Sequence, residues 1–230
     1  MFQTANSAKL VMAFTGIILF GFVVAHLAGN LQIFAGPDQL NGYAMHLRDL
    51  GPLLWGLRIV LLIALFVHMA AAFSLTRHNS DARPTPYAKP LDFPSSSQMS
   101  RHMLLTGLTI AGFVLYHLAH FTFLITNPSY KQLHWKFHDG TEWHDVYAMI
   151  VAGFSVPWIV AIYLIAQVFL WMHLSHALSS VFQTLGLKNA RNESFINALG
   201  PVVASAIFIG YASIPVGVLT GVIRAVTQQH

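Results

Sequence analysis

The chain has 230 residues, 55% of them hydrophobic and 9% charged, with a formal charge of +4. A soluble domain usually carries about 25% charged residues, so there are too few charges to cover a water-exposed surface, and lipid is the expected solvent. Cysteine is absent, which excludes disulfides, thiolate-held zinc and iron–sulfur clusters on this chain.

A crossing needs roughly 20 apolar residues for about 30 Å of hydrocarbon. Leu10 to Phe34 is uncharged and predicts a first span over 10–34. It is too long, and lacks a clear cleavage site, for a cleavable signal peptide. Leu53 to Thr76 carries only Arg58 and predicts a second span over 53–76. Asn79 to Ser97, rich in Pro and Ser, reads as an ordered inner loop or a partner contact. Met103 to Thr126 is uncharged and predicts the third span, 103–126. Val146 to Leu187 is uncharged but too long for one crossing; Pro157 is expected to break it into an interfacial lead-in and a span over 157–180. Ser194 to Ile223 predicts the fifth span, 196–223, which Pro201 and Pro215 are expected to end or bend. The whole chain, 1–230, reads as one membrane domain.

The cations are scattered between these runs, so they read as topology signals and not as a nucleic-acid surface; no nucleic-acid partner is expected. With the amino terminus inside, the inner segments hold Lys9, Arg77, Arg83, Lys89, Arg101, Lys188 and Arg191 against Asp81, Asp92 and Glu193. The outer segments hold Arg48, Arg58, Lys131, Lys136 and Arg224 against Asp38, Asp49, Asp139, Glu142 and Asp145. The cation excess favours this orientation.

Histidine is the compositional anomaly, with 13 copies. Six of them, His26, His68, His117, His120, His173 and His176, fall in or at the edge of spans. Polar residues in hydrocarbon are costly and usually functional. Each of the first four spans carries a candidate in its carboxy-terminal half. Successive helices reverse direction, so His26 and His117 fall in the outer half, and His68 and His173 in the inner half. At about 1.5 Å per residue each lies roughly 5–9 Å from its span's centre, giving two pairs roughly 12–16 Å apart along the membrane normal. Two imidazoles from two helices at one depth are what a six-coordinate haem iron requires. Zinc and di-iron sites gather more ligands at one depth, usually with carboxylates, and no Asp or Glu lies within a span. The expected fold is therefore all-α, five transmembrane helices in a bundle enclosing two b-type haems.

An internal echo accompanies the pairs. Gly21-Phe-Val-Val-Ala-His26-Leu-Ala is similar to Gly112-Phe-Val-Leu-Tyr-His117-Leu-Ala. It favours His117 over His120 as the ligand, leaving His120 as a backup.

Several further segments carry a family resemblance. They are Ala25-His26-Leu-Ala-Gly-Asn-Leu-Gln32, the lone His68, Tyr116-His117-Leu-Ala-His120, His144-Asp-Val-Tyr147, and His173-Leu-Ser-His176 followed by Phe182-Gln-Thr-Leu-Gly186. Together they make the whole chain resemble the single-chain, five-helix, di-haem cytochrome b anchor of succinate dehydrogenases and fumarate reductases. The resemblance implies that helices one and three hold one haem (His26 with His117), and helices two and four the other (His68 with His173). In that family the ligand on helix four stands thirteen residues before a closing glycine, as His173 does before Gly186, which favours His173 over the backup His176. Ala177 stands where the family often has glycine.

The resemblance also implies a flavoprotein partner that interconverts succinate and fumarate, and an iron–sulfur partner docked on the inner face. It implies menaquinone or ubiquinone as the membrane substrate, and a bacterial cytoplasmic (inner) membrane with a cytoplasmic amino terminus. Arg58 reads either as a partner of the outer haem's propionates or as a snorkelling interfacial cation. Arg101 could serve the inner haem's propionates or simply obey the orientation rule. Asn30, Gln32 and Ser155 toward the outer face, and Ser179 or Gln183 toward the inner, are polar groups that a quinone site could use. The outer run from His134 through His138 to His144 has the look of a metal-binding tract, but spacing of four and then six without Cys is a weak signal, and solvated loop histidines beside interfacial Trp135 and Trp143 are the default reading. Two other readings remain: a cytochrome b of a hydrogenase or formate dehydrogenase type complex, and a haem-free transporter or anchor whose histidines hydrogen-bond between helices.

Overall fold

The computed structural model describes residues 4–81 and 102–226. Helix α1 (Ala5–Asn30) continues as a 3-10 turn, Leu31–Ala35, and is followed by α2 (Pro37–Asp49) and α3 (Pro52–Asp81). Helix α4 (Met103–His117) runs on through a π-helical turn, Leu118–Thr122. A short 3-10 turn, Pro128–Gln132, leads to the strands β1 (His134–Lys136) and β2 (Glu142–His144). Helices α5 (Val146–Phe154), α6 (Pro157–Thr184) and α7 (Glu193–Leu219) follow. Five of these, α1 with its 3-10 extension, α3, α4 with its π turn, α6 and α7, are long and apolar enough to cross a membrane. Large apolar side chains on them, among them Phe66, Leu115, Phe195 and Ile209, are exposed. In water such surface would be a liability; lipid tails solvate it.

Local chemistry explains where the helices start and stop. Proline stands first in α2, α3 and α6, where its missing N–H costs nothing. Asp145 caps α5 by accepting the Ala148 N–H at 2.9 Å. Helix α6 closes at Gly186, whose φ of 71° suits glycine, and the Leu187 N–H reaches back to the Phe182 carbonyl at 2.9 Å.

One expectation needs correction, and one of two alternatives falls away. The third span ends at Thr122, not at 126. After His117 the backbone widens, so that the Phe123 N–H donates to the Leu118 carbonyl five residues back at 2.8 Å, and the chain then turns at Leu124 with φ 54°. Pro201 and Pro215 do not end the fifth helix, which runs from Glu193 to Leu219 through both. In hydrocarbon no water is available to satisfy a broken backbone, so helix persists past a proline that would stop it in water. The connection expected on the inner side lies, from residue 82 to 101, outside the described residues, and so do Arg83, Lys89, Asp92 and Arg101.

Contacts divide the chain into two compact units, and the boundaries fall within the long helices. The first comprises Met1–Val23, Arg58–Thr109 and Phe169–Ala206; the second comprises Val24–Leu57, Ile110–Val168 and Ile207–His230.

In the first unit most buried apolar side chains are small, Ala8, Ala13, Ala64, Ala71 and Ala204, with Leu174 and Ile196 the larger ones. Small residues let helix backbones approach closely where van der Waals packing drives association. Gly200 on α7 is the extreme case, since an added Cβ there would collide with the Ser175 carbonyl oxygen of α6. Gly200→Ala is therefore expected to force the two helices apart and cost about 1–3 kcal/mol. Thermal unfolding of the purified protein in detergent should drop for this variant. Gly56→Ala, whose Cβ would meet nothing within 4 Å, should leave it unchanged.

The second unit has a larger core, in which Ile33, Leu40, Ile150, Phe154, Ile159, Tyr163, Ile214 and Val218 pack together. Here α2 and the amino-terminal end of α5 are joined by a buried polar clasp. Asn41 donates to Asp145 at 3.0 Å and accepts the Tyr147 N–H at 3.0 Å. A buried carboxylate so paired, with every partner satisfied, specifies one arrangement of the two helices.

Candidate cofactor site: two histidine pairs

Each pair falls inside one unit. In the first unit His68 on α3 and His173 on α6 face each other with ring centroids 6.5 Å apart. Thr15 on α1 backs His68, and Thr106 on α4 backs His173. Both threonines are buried, and the proton count decides what each can do. The Thr15 hydroxyl donates to the Val11 carbonyl at 2.7 Å, so toward His68 it can only accept, and His68 Nδ1–H donates to it at 3.0 Å. The Thr106 hydroxyl donates to the Met103 carbonyl at 3.0 Å and accepts from His173 Nδ1–H at 3.1 Å. With Nδ1 protonated, each ring keeps its lone pair on Nε2, the form a metal needs.

Glycine follows each threonine and lies against the ring. A Cβ on Gly16 would lie 3.4 Å from His68 Cε1, and one on Gly107 3.5 Å from His173 Cε1. The same Thr-Gly dipeptide thus seats both imidazoles.

In the second unit His26 on α1 and His117 on α4 stand 5.9 Å apart, ring centroid to ring centroid, nearly perpendicular at 83°. They line a cavity of about 210 Å³ together with Asn30, Phe121, Tyr163, Gln167 and Tyr211. His117 Nδ1 lies 3.2 Å from the Tyr163 hydroxyl, and His120 Nδ1 lies 3.0 Å from the same oxygen. The phenol has one proton to give, so at least one of the two rings donates to Tyr163 through its Nδ1–H. His120 itself sits in the π turn, fully buried, against Phe121 and Tyr116.

The donors fit a bis-imidazole iron. With the metal about 2.0 Å from each nitrogen, and roughly 1.1 Å from nitrogen to ring centre, two coaxial imidazoles would stand about 6.2 Å apart. The observed 5.9 and 6.5 Å bracket that spacing. Gln167, whose Oε1 is buried without a hydrogen-bond partner, lines the cavity beside His26 and His117. An orphaned buried acceptor calls for a donor on whatever fills the space. Among the described residues no group of three or more His, Asp or Glu is gathered as a zinc or di-iron centre would need.

His176 is half-buried on α6, and the ring facing His68 is that of His173. Arg58 is exposed on α3 and does not line the cavity, while Arg101 lies outside the described residues. Of the polar groups considered for a quinone, Asn30 lines the cavity and donates to the His26 carbonyl at 2.7 Å. Gln32 pairs with Gln39, and Ser179 with Asn197.

Sequence reasoning missed Thr15, Thr106 and Tyr163. The signal for the threonines was present: Thr15-Gly16 precedes His26 by eleven residues, counted from the threonine, and Thr106-Gly107 precedes His117 by the same interval. The echo thus extends over a longer stretch of both helices. Compared with known protein families, with characterised proteins and with solved structures, the chain finds no match. The functional reading therefore rests on these paired imidazoles and the groups that hold them.

Proposed function

We propose that the chain is a di-haem cytochrome b that anchors a succinate:quinone oxidoreductase in the bacterial cytoplasmic membrane, passing electrons between an iron–sulfur partner and a membrane quinone. The observation that carries it is the occurrence of two histidine pairs, 5.9 and 6.5 Å apart, one in each unit of an otherwise apolar helical protein.

His26 and His117 would hold one haem, and His68 and His173 the other. A bound haem supplies a one-electron couple at its iron, tuned by axial ligand, burial and hydrogen bonds. The chain's own part is positioning. Thr15 and Thr106 keep two imidazoles in the tautomer with a free Nε2. In the second unit the same result follows when His117 Nδ1–H donates to Tyr163 and the phenol donates on to His120. His120 Nε2 then carries the proton and lies buried without a partner, which makes it a poor ligand. The exposed apolar helix faces suit lipid on the outside and a hydrophobic quinone arriving through it. The flavoprotein and iron–sulfur partners, and the cytoplasmic amino terminus, belong to this proposal and rest on the sequence resemblance and the cation distribution.

Dithionite reduction of the purified protein tests the reading. A b-type spectrum with bis-imidazole character and about two haems per chain is expected. A colourless protein that shows no haem after haem supplementation during expression would overturn it. Co-purification with a flavoprotein that oxidises succinate separates the succinate anchor from a cytochrome b of another complex.

A further inference from the structure

Strands β1 and β2 pair antiparallel with His134 opposite His144, Trp135 opposite Trp143 and Lys136 opposite Glu142. The Phe137 N–H donates to the Thr141 carbonyl at 2.8 Å, and the Asp145 N–H to the Leu133 carbonyl at 2.9 Å. Along an antiparallel ladder, hydrogen-bonded and non-hydrogen-bonded pairs alternate. With 137 opposite 141 and 133 opposite 145 hydrogen-bonded, His134 and His144 form a non-hydrogen-bonded pair. At such a pair the strands come closest, about 4.5 Å between α-carbons, and the two side chains stand on one face of the ribbon.

Both rings are oriented by backbone. His134 Nδ1–H donates to the Gln132 carbonyl at 3.0 Å, and His144 Nδ1–H donates to the Leu133 carbonyl at 3.1 Å. A carbonyl oxygen can only accept, so each ring keeps its proton on Nδ1, and in the neutral form its lone pair is on Nε2. The opposite face of the ribbon is pinned: Trp135 Nε1–H donates to Asp38 of α2 at 2.8 Å, and the Arg48 guanidinium lies 4.9 Å over the Trp143 ring. The histidine face is thus rigidly presented, and His134 is exposed on it.

We propose that His134 and His144 chelate a divalent transition-metal ion, of the zinc or copper class, through their Nε2 atoms on this hairpin. Imidazole suits these ions. Two adjacent donors already held in the right tautomer lose little freedom on binding, which is where a preorganised chelate gains its affinity. Glu142 on the same face stands opposite Lys136, so the two imidazoles are the protein's donors and water completes the shell. The site shares no residue with the four spanning histidines and stands or falls independently of the haem proposal.

Purified full-length protein in detergent, stripped with chelator, is titrated with zinc against a chromophoric chelator, and with copper(II) followed by electron paramagnetic resonance. One saturable equivalent at micromolar level, with hyperfine coupling from two nitrogens, is expected. His134→Ala and His144→Gln should each weaken binding about tenfold or more. His138→Ala, whose Nε2 lies 3.7 Å from Asp38, should leave it unchanged. Absence of saturable submillimolar binding overturns the proposal. So does wild-type affinity in either His134→Ala or His144→Gln, or an equal loss in His138→Ala.

Discussion

Replacing His117 by alanine is expected to lower the haem content from about two per chain to about one, and His26→Ala to remove the same haem. His68→Ala and His173→Ala should each remove the other. The reason lies in the pairing. Each iron would be held by two imidazoles from two different helices, 5.9 or 6.5 Å apart, so losing either breaks the bridge. The measurement is a pyridine haemochrome count with reduced-minus-oxidised spectra of each variant. Two variants should lose one component of the α band and two should lose the other. If the chain anchors a succinate:quinone oxidoreductase as proposed, electron transfer from succinate to quinone should also fall steeply in all four, since a missing relay lengthens the electron's path. His120→Ala and His176→Ala should keep both haems. His120 is enclosed on every side, with its Nδ1 committed to Tyr163, and His176 is not the ring that faces His68. Loss of a haem in His120→Ala with retention in His117→Ala would move the ligand one turn along the helix and refute the assignment.

The second large effect is expected at Thr106. Thr106→Val keeps the β-branched shape but removes the oxygen that accepts His173 Nδ1–H at 3.1 Å. That hydrogen bond fixes the tautomer and makes the imidazole a stronger donor; such supporting groups are worth about 10–100-fold in metal affinity. A stronger donor favours ferric iron, so losing the bond should raise the potential of that haem by roughly 30–60 mV, a shift of about three- to tenfold at 59 mV per decade. Thr15→Val should act alike through His68. Both should move only the spectral component that His68→Ala and His173→Ala delete, and Thr→Ser should restore it. Tyr163→Phe is the counterpart for His117 and should shift only the other component. Equal shifts of both haems by Thr106→Val would point to general loosening and remove the threonines from the site.

Much of the pattern was legible because it depends on composition along one dimension. Runs such as Leu10 to Phe34 have no charge to keep them in water, and the long helices appear where the runs are. The pairings of His26 with His117, and of His68 with His173, were expected from an assumed alternation of helix direction, and the rings of each couple stand 5.9 and 6.5 Å apart. The departures have separate origins. Pro201 and Pro215 carry a stop signal learned from water, and the π turn at Leu118–Thr122 has no composition of its own.

Composition and order along the chain thus determined the apolar spans, their alternation, and which histidines are worth pairing. Only the tertiary structure decided which side chains stand behind those histidines. A helix solvated by lipid is apolar on every face, so no polar stripe marks the side that turns inward. Thr15, Thr106 and Tyr163 look like ordinary helix residues until the fold brings each within about 3 Å of an imidazole. The cross-strand match of His134 with His144 likewise follows from a register set by the hairpin's hydrogen bonds, which no linear spacing of histidines contains.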